Sequence, residues 1–313
     1  MKLTNLVIRD IIRKLIKNEA YGIEINNLLN AEFMEYAIEF FKKVAIAKLN
    51  NKASTTDWYK KEMLNNSLSS RELAINSGTN QKTITNNFNS GRREIIIDAS
   101  MQHYEKLSKL IGELVESNNE INLTLTIKLN GVAVDLDINE SLIVISSLAA
   151  KRDALNGGLW ATAGKKVEKP LMVTLCKIFS VADENYAKKL KSKAKKLKKP
   201  VDLDTDIDFE REIDFYLINN GENFRCEVKL MSKGNPESAD AFIARGSHLL
   251  VANKLSDTNK KQFNSRGCEW VELRCDDGYK RFTKVLKNLG IPYKDFNGNI
   301  DKMLDEIFNE ILI

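Results

Sequence analysis

Two segments that alternate apolar and polar residues, Ile213–Ile218 and Phe224–Leu230, flank an Asn220-Gly221 pair. Asn-Gly is favoured where both residues of a two-residue turn need positive φ, so Arg211–Leu230 reads as a β-hairpin. That turn sets the register. Asn219 opposes Glu222, Leu217 opposes Phe224, Asp214 opposes Glu227, and Glu212 opposes Lys229. One face then carries Ile213, Phe215, Leu217, Phe224, Cys226 and Val228, all suited to a core. The other carries Glu212, Asp214, Tyr216, Arg225, Glu227 and Lys229. A slip of one residue would bury the charges, so the register is well specified. Opposed side chains lie about 4.5–5.5 Å apart at Cβ, and like charges there destabilise. Asp214 opposite Glu227 is therefore a cost unless a cation lies between them. Mg2+ is a hard ion held by one or two carboxylates, with water and phosphate completing its shell. Lys229 shares the face of Glu227 and brings an ammonium toward a water that attacks phosphorus. The chemistry these residues allow is metal-assisted hydrolysis of a phosphate ester.

The charge pattern around the hairpin agrees. The chain is 313 residues long, with 48 basic against 43 acidic residues and a net charge of +5. Lys188–Lys199 is strongly basic, and Asp202–Asp214 follows as a strongly acidic run. Basic residues attract phosphate, and carboxylates tolerate it only across a cation. The acidic run leaves an alternative open. Asp202, Asp204, Asp206, Asp208, Glu210 and Glu212 share the parity of Asp214, and any of them could donate to a metal. Asp214 is preferred because it alone faces Glu227, with Glu212 in reserve.

Composition excludes other routes. The four cysteines, Cys176, Cys226, Cys268 and Cys275, form no CxxC pair, which argues against a zinc ribbon and fits a reducing cytoplasm. Two histidines, His103 and His248, are too few for an imidazole-based metal site. There is no GxxxxGK[ST] phosphate loop and no apolar run long enough for a membrane span. Met1–Leu15 mixes charge into its apolar positions and reads as an amphipathic helix.

The elements that must position the hairpin follow from periodicity. Residues 1–118 read as helical, with apolar spacing of three and four in Leu6–Leu15, Phe33–Leu49 and Ile95–Val115. Residues 121–137 alternate around Asn130-Gly131 and read as a second hairpin. A helix over Ile138–Leu155 stops at Asn156-Gly157-Gly158. Beyond Gly164 the pattern is mixed, with helices near Glu168–Phe179, Tyr186–Lys198, Ser238–Arg245, Ser256–Ser265, Gly278–Leu289 and Ile300–Ile313. Strands fall at Leu249–Ala252 and Trp270–Leu273. The division of roles is 1–118 for recognition and 119–313 for catalysis, with the catalytic core at about 164–275.

Within the helical part, residues 69–88 are spaced like a helix-turn-helix. Ala74 permits close helix crossing, Gly78 makes the turn, and Ile84 anchors the second helix. That helix would present Asn80, Gln81, Lys82, Thr85 and Asn86, side chains that pair with base edges and phosphates. Arg92 and Arg93 follow as phosphate contacts.

Asp214 followed by Glu227-Val228-Lys229 on the next strand resembles the PD-(D/E)XK nuclease superfamily. Ile213 stands where that family often has proline. Gly164-Lys165-Lys166-Val167-Glu168, read as a helix start, resembles the element that carries an additional glutamate. The stretches Leu123–Leu129, Glu168-Lys169-Pro170 and Lys229–Ser238 are similar to restriction enzymes of the CfrBI group. The resemblance implies an α/β (α+β) fold with a central mixed sheet flanked by helices and a mainly helical N-terminal region. It implies a type II restriction endonuclease that cuts double-stranded DNA with Mg2+, leaving 5′-phosphate and 3′-hydroxyl ends. Asp214 and Glu227 would hold the metal, Lys229 and Glu168 would complete the catalytic set, and Lys165, Lys233, Asn235 and Arg245 would approach DNA. A homodimer acting on palindromic sites in the cytoplasm, with no membrane contact, completes the expectation. Two alternatives remain: a repair or recombination nuclease of the same superfamily, and a non-enzymatic helix-turn-helix DNA-binding protein.

Overall fold

A computed structural model of the chain describes residues 2–50, 57–118, 120–157, 159–187, 215–230, 242 and 246–312. Among these the fold is mixed α+β, as expected. The helices of the first half are α1 (Leu3–Ile16), α2 (Gly22–Asn50), α3 (Asp57–Met63), α4 (Ser70–Asn76), α5 (Gln81–Phe88) and α6 (Arg93–Ser117). A hairpin of β1 (Leu125–Leu129) and β2 (Val132–Leu136) precedes α7 (Ile138–Asn156) and α8 (Leu159–Ile178). Then come β3 (Tyr186–Ala187), β4 (Phe215–Asn219), β5 (Glu222–Lys229), β6 (Leu249–Ala252), α9 (Asp257–Ser265), β7 (Glu269–Glu272), α10 (Arg281–Asn288) and α11 (Ile300–Ile311).

The chain packs as two compact units, one of residues 1–28 with 160–313 and the other of residues 29–159. Packing thus divides the chain differently from the division by role at 118. The first 28 residues join the C-terminal half, and the β1–β2 hairpin joins the helices of 29–159.

In the larger unit a five-stranded sheet runs in the order β3-β4-β5-β6-β7. Strands β3, β4 and β5 pair antiparallel, whereas β5, β6 and β7 pair parallel. The turn between β4 and β5 has Asn220 at φ 47° and Gly221 at φ 84°, the positive pair its sequence demands. Its register is the one read from sequence: Asn219 opposite Glu222, Leu217 opposite Phe224, and Phe215 opposite Cys226. Phe215, Leu217, Cys226 and Val228 are fully buried on one face. Strand β6 is buried along its whole length, as parallel strands covered on both faces are. Helix α1 buries Val7, Ile8, Ile11, Ile12, Leu15 and Ile16 on one stripe. It is tied to α11 by Arg9, which donates to the carbonyls of Phe308 (2.9 Å) and Leu312 (2.8 Å), and by the Arg13–Asp301 ion pair.

Two expectations are corrected. Tyr186 and Ala187 begin no helix. They form the edge strand β3 opposite Leu217 and Tyr216. Asn185 donates to the Ile218 carbonyl at 2.9 Å, and the Tyr186 ring stacks on Phe215, so pairing outweighs local helical spacing. Helix α8 starts at Leu159, directly after the glycines that end α7, and not near Glu168. It continues through Pro170, whose carbonyl accepts from Thr174 Oγ1 at 2.8 Å. Lys188–Lys199 and Asp202–Asp214 lie outside the described residues, as does the expected helix at Ser238–Arg245 apart from Phe242.

The smaller unit surrounds a core that includes Phe40, Val44, Trp58, Tyr59, Leu73, Tyr104, Leu136 and Val144. The β1–β2 turn repeats the Asn-Gly geometry, with Asn130 at φ 50° and Gly131 at φ 81°. Asp137 and Glu140 form a capping box at the start of α7. Glu140 is 2% exposed, yet it accepts from Trp58 Nε1 at 2.6 Å and pairs with Lys48. None of the described helices is long and apolar enough to cross a membrane.

Candidate active site

The site begins with the β5–β6 ladder. Glu227 pairs with Leu250 and Lys229 with Ala252, so these four residues share one face. Phe242 and Phe263 cover that face over β6, with their rings 5.2 Å apart, and Leu250 and Ala252 pack beneath them. Glu227 lies beside this apolar cover and is 3% exposed. A buried carboxylate is costly without hydrogen bonds. Ser247, 4% exposed and two residues before β6, donates its hydroxyl to Glu227 Oε1 at 2.7 Å.

Lys229 is the last residue of β5 and is half-buried. Its carbonyl accepts from Asn253 N–H at 3.1 Å, which extends the parallel ladder one step past the strands. The next carbonyl, that of Leu230, accepts from the hydroxyl of Tyr21. Tyr21 is 4% exposed, and burial pushes its pKa up to about 12, with Arg274 opposing the shift. The phenol therefore keeps its proton at neutral pH and remains a donor. Both ends of the Glu227–Leu230 segment are thus held by side chains distant in sequence. Spacing did not indicate either one.

Two other titratable groups border the sheet. Glu272 is directly opposite Ala252 and so shares the face of Lys229. Its carboxylate accepts from Leu255 N–H at 3.1 Å and pairs with Lys260 at 2.6 Å, which ties α9 to β7. His248 accepts from Arg225 N–H through Nδ1 at 3.1 Å and returns its own N–H to the Arg225 carbonyl at 2.8 Å. Burial, then the nearby Arg225 charge, lowers its pKa and favours the neutral ring that this bond requires.

Among the other residues singled out from sequence, Glu168 lies in the interior of α8 and is half-buried. Its Oε1 sits over Gly164, 3.2 Å from where a Cβ there would stand, so the glycine makes room for the carboxylate. Lys165 is exposed on the same helix. Asp214, Lys233, Asn235 and Arg245 lie outside the described residues, as do the carboxylates from Asp202 to Glu212. Among the described residues no three histidine, cysteine, aspartate or glutamate side chains cluster as a metal site.

In the smaller unit, α4 and α5 are joined by residues 77–80. Ser69 and Glu72 form a capping box at the start of α4. Gly78 turns the chain at φ 86°, where an added Cβ would lie 2.7 Å from Leu107 Cδ2. Ala74 and Ile84 are buried together with Ile96 and Ala99, the packing that their spacing predicts. Lys82, Asn86 and Arg92 are exposed, while Gln81 and Thr85 are half-buried. Asn80 caps α5, its Oδ1 accepting from Thr83 N–H at 2.9 Å. Arg93 reaches back to the carbonyls of Asn66 (2.7 Å) and Leu68 (3.0 Å), so it closes the approach to α4.

No curated protein and no solved structure matched the chain. The family model described as CfrBI restriction endonuclease matches residues 5–260. That range includes the α4–α5 pair, α8, the β4–β5 hairpin, Glu227, Lys229 and Ser247. Since the match spans most of its length, the chain belongs to the CfrBI restriction endonuclease family, nucleases whose substrate is DNA.

Proposed function

We propose that the chain is a type II restriction endonuclease that hydrolyses double-stranded DNA at specific sites with Mg2+, through a PD-(D/E)XK site. The observation that carries the reading is the shared face of Glu227 and Lys229 on β5, in the register that the Asn220-Gly221 turn imposes. The Glu227 carboxylate offers hard oxygen donors beside an apolar cover, which suits Mg2+ better than a soft metal. Asp214 and Glu227 would hold the ion. When bound, Mg2+ supplies positive charge against the phosphoryl oxygens and lowers the pKa of water. Lys229 would orient the attacking water and offset the developing negative charge with its ammonium, the released proton passing to solvent. Glu168, on α8, would complete the set.

The exposed Lys82, Asn86 and Arg92 support a DNA-contacting role for the α4–α5 pair. A homodimer would match its own two-fold axis to a palindromic site, with cuts leaving 5′-phosphate and 3′-hydroxyl ends. The test is digestion of a sequenced phage DNA with MgCl2, followed by mapping of every end. Discrete ends at one recurring sequence are expected, lost in EDTA and in Lys229→Ala. Cutting guided by branched or flapped DNA would defeat the restriction reading. Cleavage by Lys229→Ala at the wild-type rate would defeat the site.

A further inference from the structure

We propose that Ser247 is a positioning residue, whose hydroxyl sets the rotation of the Glu227 carboxylate so that it presents oxygen to the divalent cation. This rests on the reading of Glu227 as a metal ligand. The terminal torsion of a glutamate is broad, so its carboxylate plane must be locked from outside. The Ser247 hydroxyl supplies that lock at 2.7 Å, the distance of a charge-assisted hydrogen bond, between groups that are 4% and 3% exposed.

The serine itself is held firmly. Gly246 precedes it at φ 60° and turns the chain into β6. His248 follows and is joined to Arg225 by two hydrogen bonds, one through its backbone N–H and one through its ring. Leu249 then opposes Cys226 as the parallel ladder begins. The turn at Gly246 and the anchoring of His248 fix Ser247 just ahead of β6, from where its hydroxyl reaches Glu227. A hydroxyl is the suitable donor for this task. It gives one proton to one carboxylate oxygen and leaves the negative charge intact, whereas a lysine or arginine would compete with the cation. Partners that orient a ligating carboxylate typically change metal affinity or activity about 10–100-fold when removed.

The experiment compares full-length wild type, Ser247→Ala, Ser247→Thr and Glu227→Gln. Mg2+ binding is measured by calorimetry without DNA, DNA affinity by anisotropy in EDTA, and the melting midpoint in both conditions. Ser247→Ala is expected to weaken Mg2+ binding about 10–100-fold while metal-free DNA affinity stays at the wild-type value, and to lower the metal-free melting midpoint because the buried Glu227 carboxylate loses a donor. Ser247→Thr keeps the hydroxyl and is expected to restore Mg2+ binding to within about threefold, on the same scale. Wild-type Mg2+ binding by Ser247→Ala would overturn the proposal, and so would equal losses in the alanine and threonine variants. Glu227→Gln separates the two levels. If it binds Mg2+ as wild type does, the metal assignment itself fails. If it loses Mg2+ while Ser247→Ala does not, only the positioning role fails.

Discussion

Tyr21→Phe removes one oxygen and leaves the ring in place. Its hydroxyl is the donor to the Leu230 carbonyl, one residue beyond Lys229. Leu230 is itself buried, so the carbonyl loses a partner where water does not readily replace it. An unsatisfied buried acceptor costs about 1–3 kcal/mol. At about 2 kcal/mol the melting midpoint of a unit of this size falls by about 4–8 °C. Under the proposed role of Lys229, the catalytic consequence is larger than the stability loss suggests, because Leu230 adjoins it and small displacements of a reacting group cost up to about 100-fold. Single-turnover cleavage is expected to slow by about tenfold with DNA affinity unchanged. The pKa supplies an independent check. Burial raises the Tyr21 phenol from 10.0 to about 12, so the folded state holds that proton more tightly than the unfolded chain. The associated stability is intact below pH 10 and is lost as pH climbs from 10 toward 12. Wild type should therefore lose more stability across that window than Tyr21→Phe. A variant that melts, cleaves and responds to alkali as wild type does would refute the reasoning.

Glu140→Ala should destabilise the smaller unit by about 3–5 kcal/mol in urea unfolding, because buried Trp58 Nε1–H and Lys48 lose their shared acceptor. Gly78→Ala should cost about 1–2 kcal/mol from its positive φ alone, with the Leu107 clash adding to it. Gly91→Ala, which meets nothing closer than 4.0 Å, serves as the neutral control. Lys82→Ala and Arg92→Ala should weaken binding evenly across DNA sequences, each lowering the salt slope by about 1. A sequence-dependent loss for either would mark it as a base contact instead.

The sequence made some of this legible because some of it is local. Asn220-Gly221 dictates a turn, the turn dictates a register, and the register places Phe215 against Cys226 and Glu227 beside Lys229 on the far face. The α4–α5 pair was readable for the same reason, since Ala74, Gly78 and Ile84 act within fifteen residues of one another. What remained hidden is non-local. Ser247 stands 20 residues from Glu227, and Tyr21 stands 209 from Leu230. No spacing rule connects a serine ahead of a strand to a carboxylate on its neighbour. Tyr186 has helical spacing in sequence, yet its partner Leu217 lies across the sheet. The pattern after Gly157-Gly158 places the next helix near Glu168, although the chain resumes helix at Leu159.

The return of residues 1–28 to the C-terminal half has a consequence for how the protein is made. Arg9 waits for Phe308 and Leu312, and Tyr21 waits for Leu230. At about 5–20 residues per second, Tyr21 leaves the ribosome tens of seconds before its acceptor does. Residues 29–159 can fold during that interval, as a unit continuous in sequence. The strand with Glu227 and Lys229 cannot be pinned at both ends so early, and β7 must follow before its sheet is whole. A nascent chain thus carries the α4–α5 pair before it carries a complete five-stranded sheet.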